Sequence, residues 1–270
     1  MKITISLVQI HIEPGQIYKN VANAHQAVLE AGNRGSDLVL LPELWSTGYD
    51  LQNSARHARQ NEELTSEIAS WCETQHLWLG GSVLKNTPTG IQNVFDLYSP
   101  SGNLVAQYPK IHLFGLMDEN RYLAPGERPV IAHTPWGRTG LAICYDLRFP
   151  ELFRVHSLSG CVLVLLTAEW PHKRIAHWQT LIKARAIENQ LFVAAANCVG
   201  SGGGETFGGS SAMISPWGET CVGARENVEE VITATIDLEE VQRIRTAIPV
   251  LADRRPDAYT PFSQTESLPH

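Results

Sequence analysis

Three reactive side chains each follow an apolar run at its carboxyl end. DLVLLPE ends in Glu43, NLVAQYPK ends in Lys110, and GLAICYD places Cys144 where the run gives way to a turn. Taken singly, each has a plain structural explanation. A cysteine is often a small buried hydrophobe, a lysine is usually a surface charge, and a glutamate after proline can cap a helix. Taken together, they supply what acyl transfer at an amide requires: Cys144 as a soft nucleophile, Glu43 as a carboxylate to move protons, and Lys110 as a cation for the developing oxyanion. The turn after Cys144 leads toward a helix whose amino end would favour a thiolate, and Lys110 would act in the same direction.

Strand ends are where such a trio can meet. In layered α/β proteins, buried strands fix the backbone, and the loops beyond their carboxyl ends leave room for a ligand. The sequence carries the necessary elements. The opening MKITISLVQIHIEPG is broken by Gln9, His11 and Glu13 and reads as a first strand rather than a signal peptide or membrane span. Ile17, Val21, Ala24, Val28 and Ala31 recur at helical spacing, with Gly32 and Gly35 as stop signals. Residues 37–41 read as a buried strand, and Leu64, Ile68, Trp71 and Cys72 mark a second helical face. Strands are expected over 77–83 and 94–100, with a turn at Ser101-Gly102 into a hairpin partner over 103–109.

Beyond a connection over 111–129, strands are expected at 140–144, 161–166, 191–198, 210–216 and 231–237. Helices are expected from 148 and near 173–189, with a short helix and an irregular tail at the end. No internal repeat or linker-like shift in composition divides the chain, so 1–260 is expected to be one domain and 261–270 a C-terminal tail. Hairpins mixed with crossover helices predict a layered α/β fold.

Composition limits the rest. The chain has 270 residues, 43% hydrophobic and 18% charged, enough to bury a substantial core, and its formal charge of −7 argues against broad nucleic-acid binding. No run approaches the roughly 20 apolar residues needed to cross a bilayer, so no membrane partner is expected. The five cysteines form no CxxC pair or zinc-like spacing, which suits a reducing cytoplasm. Ten histidines are present, none within a motif, and His172 and His177 are off the i, i+4 spacing of a helical metal pair, so no metal or other cofactor is expected. SGGGETFGG (201–209) lacks the Lys-Ser/Thr of a phosphate loop and reads as a mobile connection that borders a pocket. Arg148 and Glu151, three apart, read as a pair across a helix's first turn.

LPELWSTGY around Glu43, YPKIHLF around Lys110 and GLAICYDLRFPELFR around Cys144 resemble the three signatures of the nitrilase superfamily of carbon–nitrogen hydrolases, and KARAIENQLFVAAAN (183–197) resembles the segment that follows them. The resemblance extends to about Tyr259 and implies a four-layer α-β-β-α sandwich, usually paired as a homodimer or larger homo-oligomer. It also implies a second active-site glutamate, which Glu119 matches through the Leu-x-Pro-Gly that follows it. The implied roles are Glu43 as base, Cys144 as the nucleophile that forms a thioester, and Lys110 with the backbone N–H of Tyr145 as oxyanion donors.

Within the superfamily the sequence is most similar to the omega-amidase branch, through CYDLRFPE, AEW-P (168–171) and RTAIPVLADRRPDAY (245–259). That branch hydrolyses the terminal amide of small dicarboxylic monoamides such as 2-oxoglutaramate, with water as co-substrate. A substrate of this kind needs a cationic partner for its far carboxylate, for which Lys173 and Arg174 are candidates, and Phe114 and Trp170 are candidates for apolar pocket walls. An N-carbamoyl-amine hydrolase or a nitrilase would share the trio. A non-catalytic scaffold of the same fold and a thiol-based redox role are the readings from other classes; Cys72, Cys161, Cys198 and Cys221, in or beside apolar runs, are expected to be buried.

Overall fold

A strand covered on both faces needs apolar side chains at every position rather than at alternate ones. Leu38 and Leu40 enter one hydrophobic cluster, shared with Ile5, Leu7, Leu141, Ile143 and Leu165. The interleaved Val39 and Leu41 enter another, shared with Val21, Ala24, Val28, Ile68 and Trp71. The period-two side-chain alternation therefore splits DLVLL between two layers of core.

The computed structural model describes residues 1–259. In chain order its strands are β1 (Lys2–Gln9), β2 (Leu38–Leu40), β3 (Trp78–Thr87), β4 (Gly90–Tyr98), β5 (Leu104–Pro109), β6 (Ile131–Thr134), β7 (Gly137–Ile143), β8 (Leu163–Ala168), β9 (Phe192–Asn197), β10 (Val199–Gly202), β11 (Glu205–Gly208), β12 (Ala212–Ile214), β13 (Thr220–Gly223) and β14 (Glu230–Asp237). One six-stranded sheet runs β14-β1-β2-β3-β4-β5 and the other β13-β12-β9-β8-β7-β6. Helices α1 (Ile17–Asn33), α2 (Ser54–Glu63) and α3 (Thr65–Gln75) lie against the first sheet. After the short α4 (Glu119–Tyr122), α5 (Pro150–Leu158) and α6 (Ile175–Asn189) cover the second. The result is the expected four-layer α-β-β-α sandwich.

Parallel pairing matters most for the site. β1, β2 and β3 are parallel neighbours, as are β7, β8 and β9, so their carboxyl ends gather at common edges. Glu43 follows β2, Cys144 follows β7 and Glu169 follows β8. Lys110 follows β5, whose last residues pair with the middle of β4.

Several elements depart from expectation. Helix α2 is absent from the sequence reading because its buried face is Ser54, His57, Ala58 and Asn61, which show no apolar periodicity. The short strands β6 and β13 occupy opposite edges of the second sheet and were likewise not expected. Segment 201–209 is largely a hairpin rather than a free connection: β10 and β11 pair antiparallel, Gly203 and Gly204 turn with φ +58° and +79°, and Phe207 is buried. Cys72, Cys161 and Cys198 are buried, but Cys221 is exposed because β13 is an edge strand. Residue 260 and the tail 261–270 lie outside the described residues.

Candidate active site

Glu43 is fully buried in the turn after β2, followed by Leu44 in the left-handed region at φ 43°. A bulky residue there is strained, and the backbone N–H of Leu44 is held by the Ser82 hydroxyl at 2.9 Å. The Glu43 carboxyl is enclosed by donors. Its Oε1 accepts from Lys110 Nζ at 2.8 Å, Asn93 Nδ2 at 2.8 Å and Tyr49 Oη at 3.0 Å, and its Oε2 accepts from the backbone N–H of Glu169 at 2.9 Å.

Lys110 is equally buried, and its backbone N–H donates to Asn93 O at 2.9 Å across the hairpin. Its ammonium reaches a second acid, Glu119 Oε1, at 2.7 Å. Glu119 opens α4, and its Oε2 accepts the backbone N–H of Phe114 at 2.6 Å. Tyr49 Oη lies 2.8 Å from Glu119 Oε1, so its single proton is shared between the two acids. Burial opposes the lysine's charge, but Glu119 and Glu43 outweigh it and raise its pKa. Burial also raises the Glu119 pKa; Lys110 works against this and Glu43 adds to it. For Tyr49, burial followed by the two acids pushes the phenol well up, so it remains a donor.

Cys144 begins a five-residue 3-10 helix, Cys144–Arg148, and takes φ 45°, a strained conformation for a side-chain-bearing residue. Its Sγ lies 3.9 Å from Glu169 O. Burial, then Glu43, pushes the thiol well above its ordinary value, with Lys110 opposing. This corrects the expectation of a favoured thiolate. The helical turn is too short and the site too dry to offset the cost of an unpaired sulfur charge, so Cys144 rests as a thiol. Tyr145 sits in the first turn of the helix, where backbone N–H groups lack intrahelical acceptors.

The rim is built differently. Trp170 is buried, with its backbone N–H on Asn197 Oδ1 at 2.7 Å and its indole N–H on Arg174 O at 2.9 Å. Phe114 is buried next to Tyr145, with ring centroids 4.8 Å apart, and the Arg174 Cζ lies 5.3 Å from the Phe114 centroid. Arg174 is half-buried, and its Nη1 has no hydrogen-bond partner.

Two expectations fail here. Lys173 points to solvent and pairs with Glu205 of the hairpin, so it does not join the site. Arg148 does not pair with Glu151. Its Cζ lies 4.7 Å from the Trp170 ring centroid, and both Nη atoms approach His177 Nδ1 at 3.4 Å. Burial lowers the Arg148 pKa, and the Arg174 charge acts in the same direction.

The structure thus brings Glu43, Lys110 and Glu119 into direct contact beside Cys144, with Phe114, Tyr145, Trp170 and Arg174 around them. Tyr49, Asn93, Glu169 and Arg148 were not singled out as site residues. Tyr49 closes the LPELWSTGY stretch and Glu169 lies within AEW-P, whereas nothing local to Asn93 marks it. Glu169 is fully buried, its Oε1 has no partner, and burial followed by Glu43 pushes its carboxyl well up. A groove of about 550 Å³ is lined in part by Tyr49, Leu116, Met117 and Gly203; Tyr49 is the one residue it shares with the cluster. Among the described residues no group of three or more His, Cys, Asp or Glu side chains could hold a metal ion, and no helix is long and apolar enough to cross a membrane.

A 2-oxoglutaramate amidase of Bacillus subtilis (strain 168) is 39% identical over 266 residues, covering 96% of this chain and all of the relative. A CN-hydrolase superfamily protein of Xanthomonas campestris, solved with an arsenic adduct in its active site, superposes with a TM-score of 0.88 at 30% identity, covering 94% of this chain and 98% of that one. A glutamate-to-glutamine mutant of the amidase from Nesterenkonia sp. AN1, with the acetamide moiety of fluoroacetamide covalently added at its active-site cysteine, superposes with a TM-score of 0.86 at 26% identity, covering 96% and 95%. The carbon–nitrogen hydrolase profile matches residues 4–246, and the chain belongs to that family.

Proposed function

We propose that this enzyme hydrolyses the terminal amide of small dicarboxylic acid monoamides, of the 2-oxoglutaramate and succinamate type, to the dicarboxylate and ammonia through a thioester on Cys144. The observation that carries the reading is a buried ammonium shared by two glutamates beside a buried thiol, with two guanidiniums at the rim. The similar amidases of Bacillus subtilis and Nesterenkonia support it.

Glu43 takes the Sγ proton as the sulfur attacks the amide carbon. Charge moves to the carbonyl oxygen, which Lys110 and the Tyr145 N–H stabilise. The tetrahedral intermediate collapses, the C–N bond breaks, and Glu43 returns the proton to the departing nitrogen, so ammonia leaves. Glu43 then takes a proton from water, the hydroxide attacks the thioester carbon, and the C–S bond breaks. The sulfur recovers its proton and the acid is released. Glu119 and Tyr49 hold Lys110 and Glu43 in place. The chemistry draws on side chains, backbone and water, with no cofactor in any step.

A substrate carboxylate would meet Arg174 and Arg148, in place of Lys173, above the apolar walls Phe114 and Trp170. Residues 1–260 are read as one catalytic domain. Val155 and Leu158 of α5, Ile187 of α6, and Trp217 and Ile248 are exposed large hydrophobics on the outer side of the second sheet, a face suited to a homodimer contact. A reducing cytoplasm suits the free thiol. Ammonia release from succinamate, 2-oxoglutaramate, N-carbamoyl-putrescine and simple nitriles tests the reading. The two monoamides should be turned over with the highest kcat/KM, and a preference for either of the other classes would overturn it.

A further inference from the structure

The nucleophile and the oxyanion cation are carried by different sheets: Cys144 follows β7 of the second and Lys110 follows β5 of the first. Sliding of one sheet against the other would therefore alter the distance between them. One fully buried carboxylate spans this gap. Asp146 Oδ2 accepts the backbone N–H of Ile143 at 2.9 Å and the Tyr108 hydroxyl at 2.8 Å. Its Oδ1 accepts the backbone N–H of His112 at 3.2 Å and lies 2.7 Å from His112 Nδ1. Ile143 immediately precedes the cysteine, and Tyr108 and His112 flank the lysine by two residues on each side.

We propose that Asp146 is a positioning residue, a clamp that fixes the cysteine turn against the lysine turn and so sets where the Lys110 ammonium stands relative to the Cys144 sulfur. The inference rests on the roles proposed above for those two residues. Its neighbours support it. The His112 ring stacks on Phe149 with centroids 3.6 Å apart and planes 7° apart, and Arg185 Nε holds Leu147 O at 3.0 Å, so both ends of the clamp are braced. Burial, with Asp146 adding to it, keeps the Tyr108 phenol protonated and thus a donor. Four donors on one buried acid lock it far more tightly than a surface pair would be.

Asp146→Asn keeps the shape but places an amide N–H₂ where one pair of donors now points. Because a misplacement of about 1 Å can cost on the order of 10²-fold in rate, kcat should fall roughly 10²-fold while KM for succinamate changes less than about threefold. The amplitude of the cooperative thermal unfolding transition counts folded molecules, so the loss is expressed per folded site; a purely structural role would lower that amplitude and leave kcat per site unchanged. Tyr108→Phe removes one donor and keeps the acid, and should lower kcat about tenfold at constant KM, which serves if the first variant does not fold. Wild-type kcat per site in either folded variant overturns the clamp. Cys144→Ala run in parallel separates the two ideas: if it is inactive while both clamp variants are normal, only the clamp falls, and if it is active the catalytic reading falls with it.

Discussion

The floor and the rim of the site treat charge in opposite ways. On the floor every carboxyl oxygen of Glu43 and Glu119 accepts at least one hydrogen bond, and Lys110 is matched to both acids. At the rim, the Arg148 and Arg174 guanidiniums rest over aromatic rings, and one Arg174 nitrogen has no partner. A buried charge left unmatched is costly, so a floor that carries out proton transfer must be complete before substrate arrives. A rim that recognises an anion is better left incomplete, because the ligand then supplies the missing acceptor. Chemistry is built in here, and recognition is held open.

The sharpest way to break that division is at the floor. Cys144→Ala should abolish ammonia release by at least about 10⁴-fold, since a nucleophile acting within a coupled set leaves only residual binding effects behind. Retained turnover would remove the floor's role in chemistry. Lys110→Met should lower kcat by roughly 10²- to 10³-fold, the usual cost of losing one oxyanion donor. It should also destabilise the fold by about 3–5 kcal/mol, because two buried acids would face each other without their cation; thermal unfolding beside steady-state kinetics measures both.

What the sequence made legible follows the same division. Glu43, Lys110 and Cys144 were visible because each closes an apolar run, and a strand end is a local feature. Asn93 and Tyr49 were not singled out, because Asn93 reaches Glu43 and Tyr49 reaches Glu119 only when distant turns converge. The rim misled more. Arg148 and Glu151 have helical spacing, but Pro150 begins α5 two residues after Arg148, so the two are not on one helix, and the guanidinium instead covers Trp170 from another strand's end. Lys173 and Arg174 are adjacent in sequence, yet Glu205 on the hairpin draws one outward while the other lies over Phe114. The four layers were not readable from periodicity; the resemblance implied them, and the division of the uniformly buried Leu38–Leu41 side chains between two cores accounts for the layers on either face of the first sheet.

The rim has its own test. Arg148→Ala and Arg174→Ala should each raise KM for succinamate by about 10- to 100-fold, as expected for a charge-assisted hydrogen bond worth roughly 1.5–3 kcal/mol, with kcat nearly constant. An uncharged amide such as butyramide should show little change in either variant, and Lys173→Ala should match wild type on both substrates. Equal losses on charged and uncharged amides would mean that the guanidiniums shape the pocket rather than bind an anion.

The smallest expected effect concerns Glu169, a floor residue whose Oε1 is as unpartnered as the rim nitrogen. Burial and then Glu43 hold its carboxyl well above the ordinary 4.5, so the folded protein binds this proton more tightly than the unfolded chain does. The stability that this contributes is complete below the unfolded pKa and is lost as pH rises through the folded one, at no more than about 1.4 kcal/mol per pH unit for one proton. Glu169→Gln keeps the shape and has no proton to lose. Its melting temperature should therefore fall less steeply than that of wild type as pH is raised above the ordinary carboxyl value of 4.5, with a residual slope from Glu119, whose pKa is also raised. Identical slopes would mean that Glu169 finds a partner for its charge, and the floor would then be complete at this position as well.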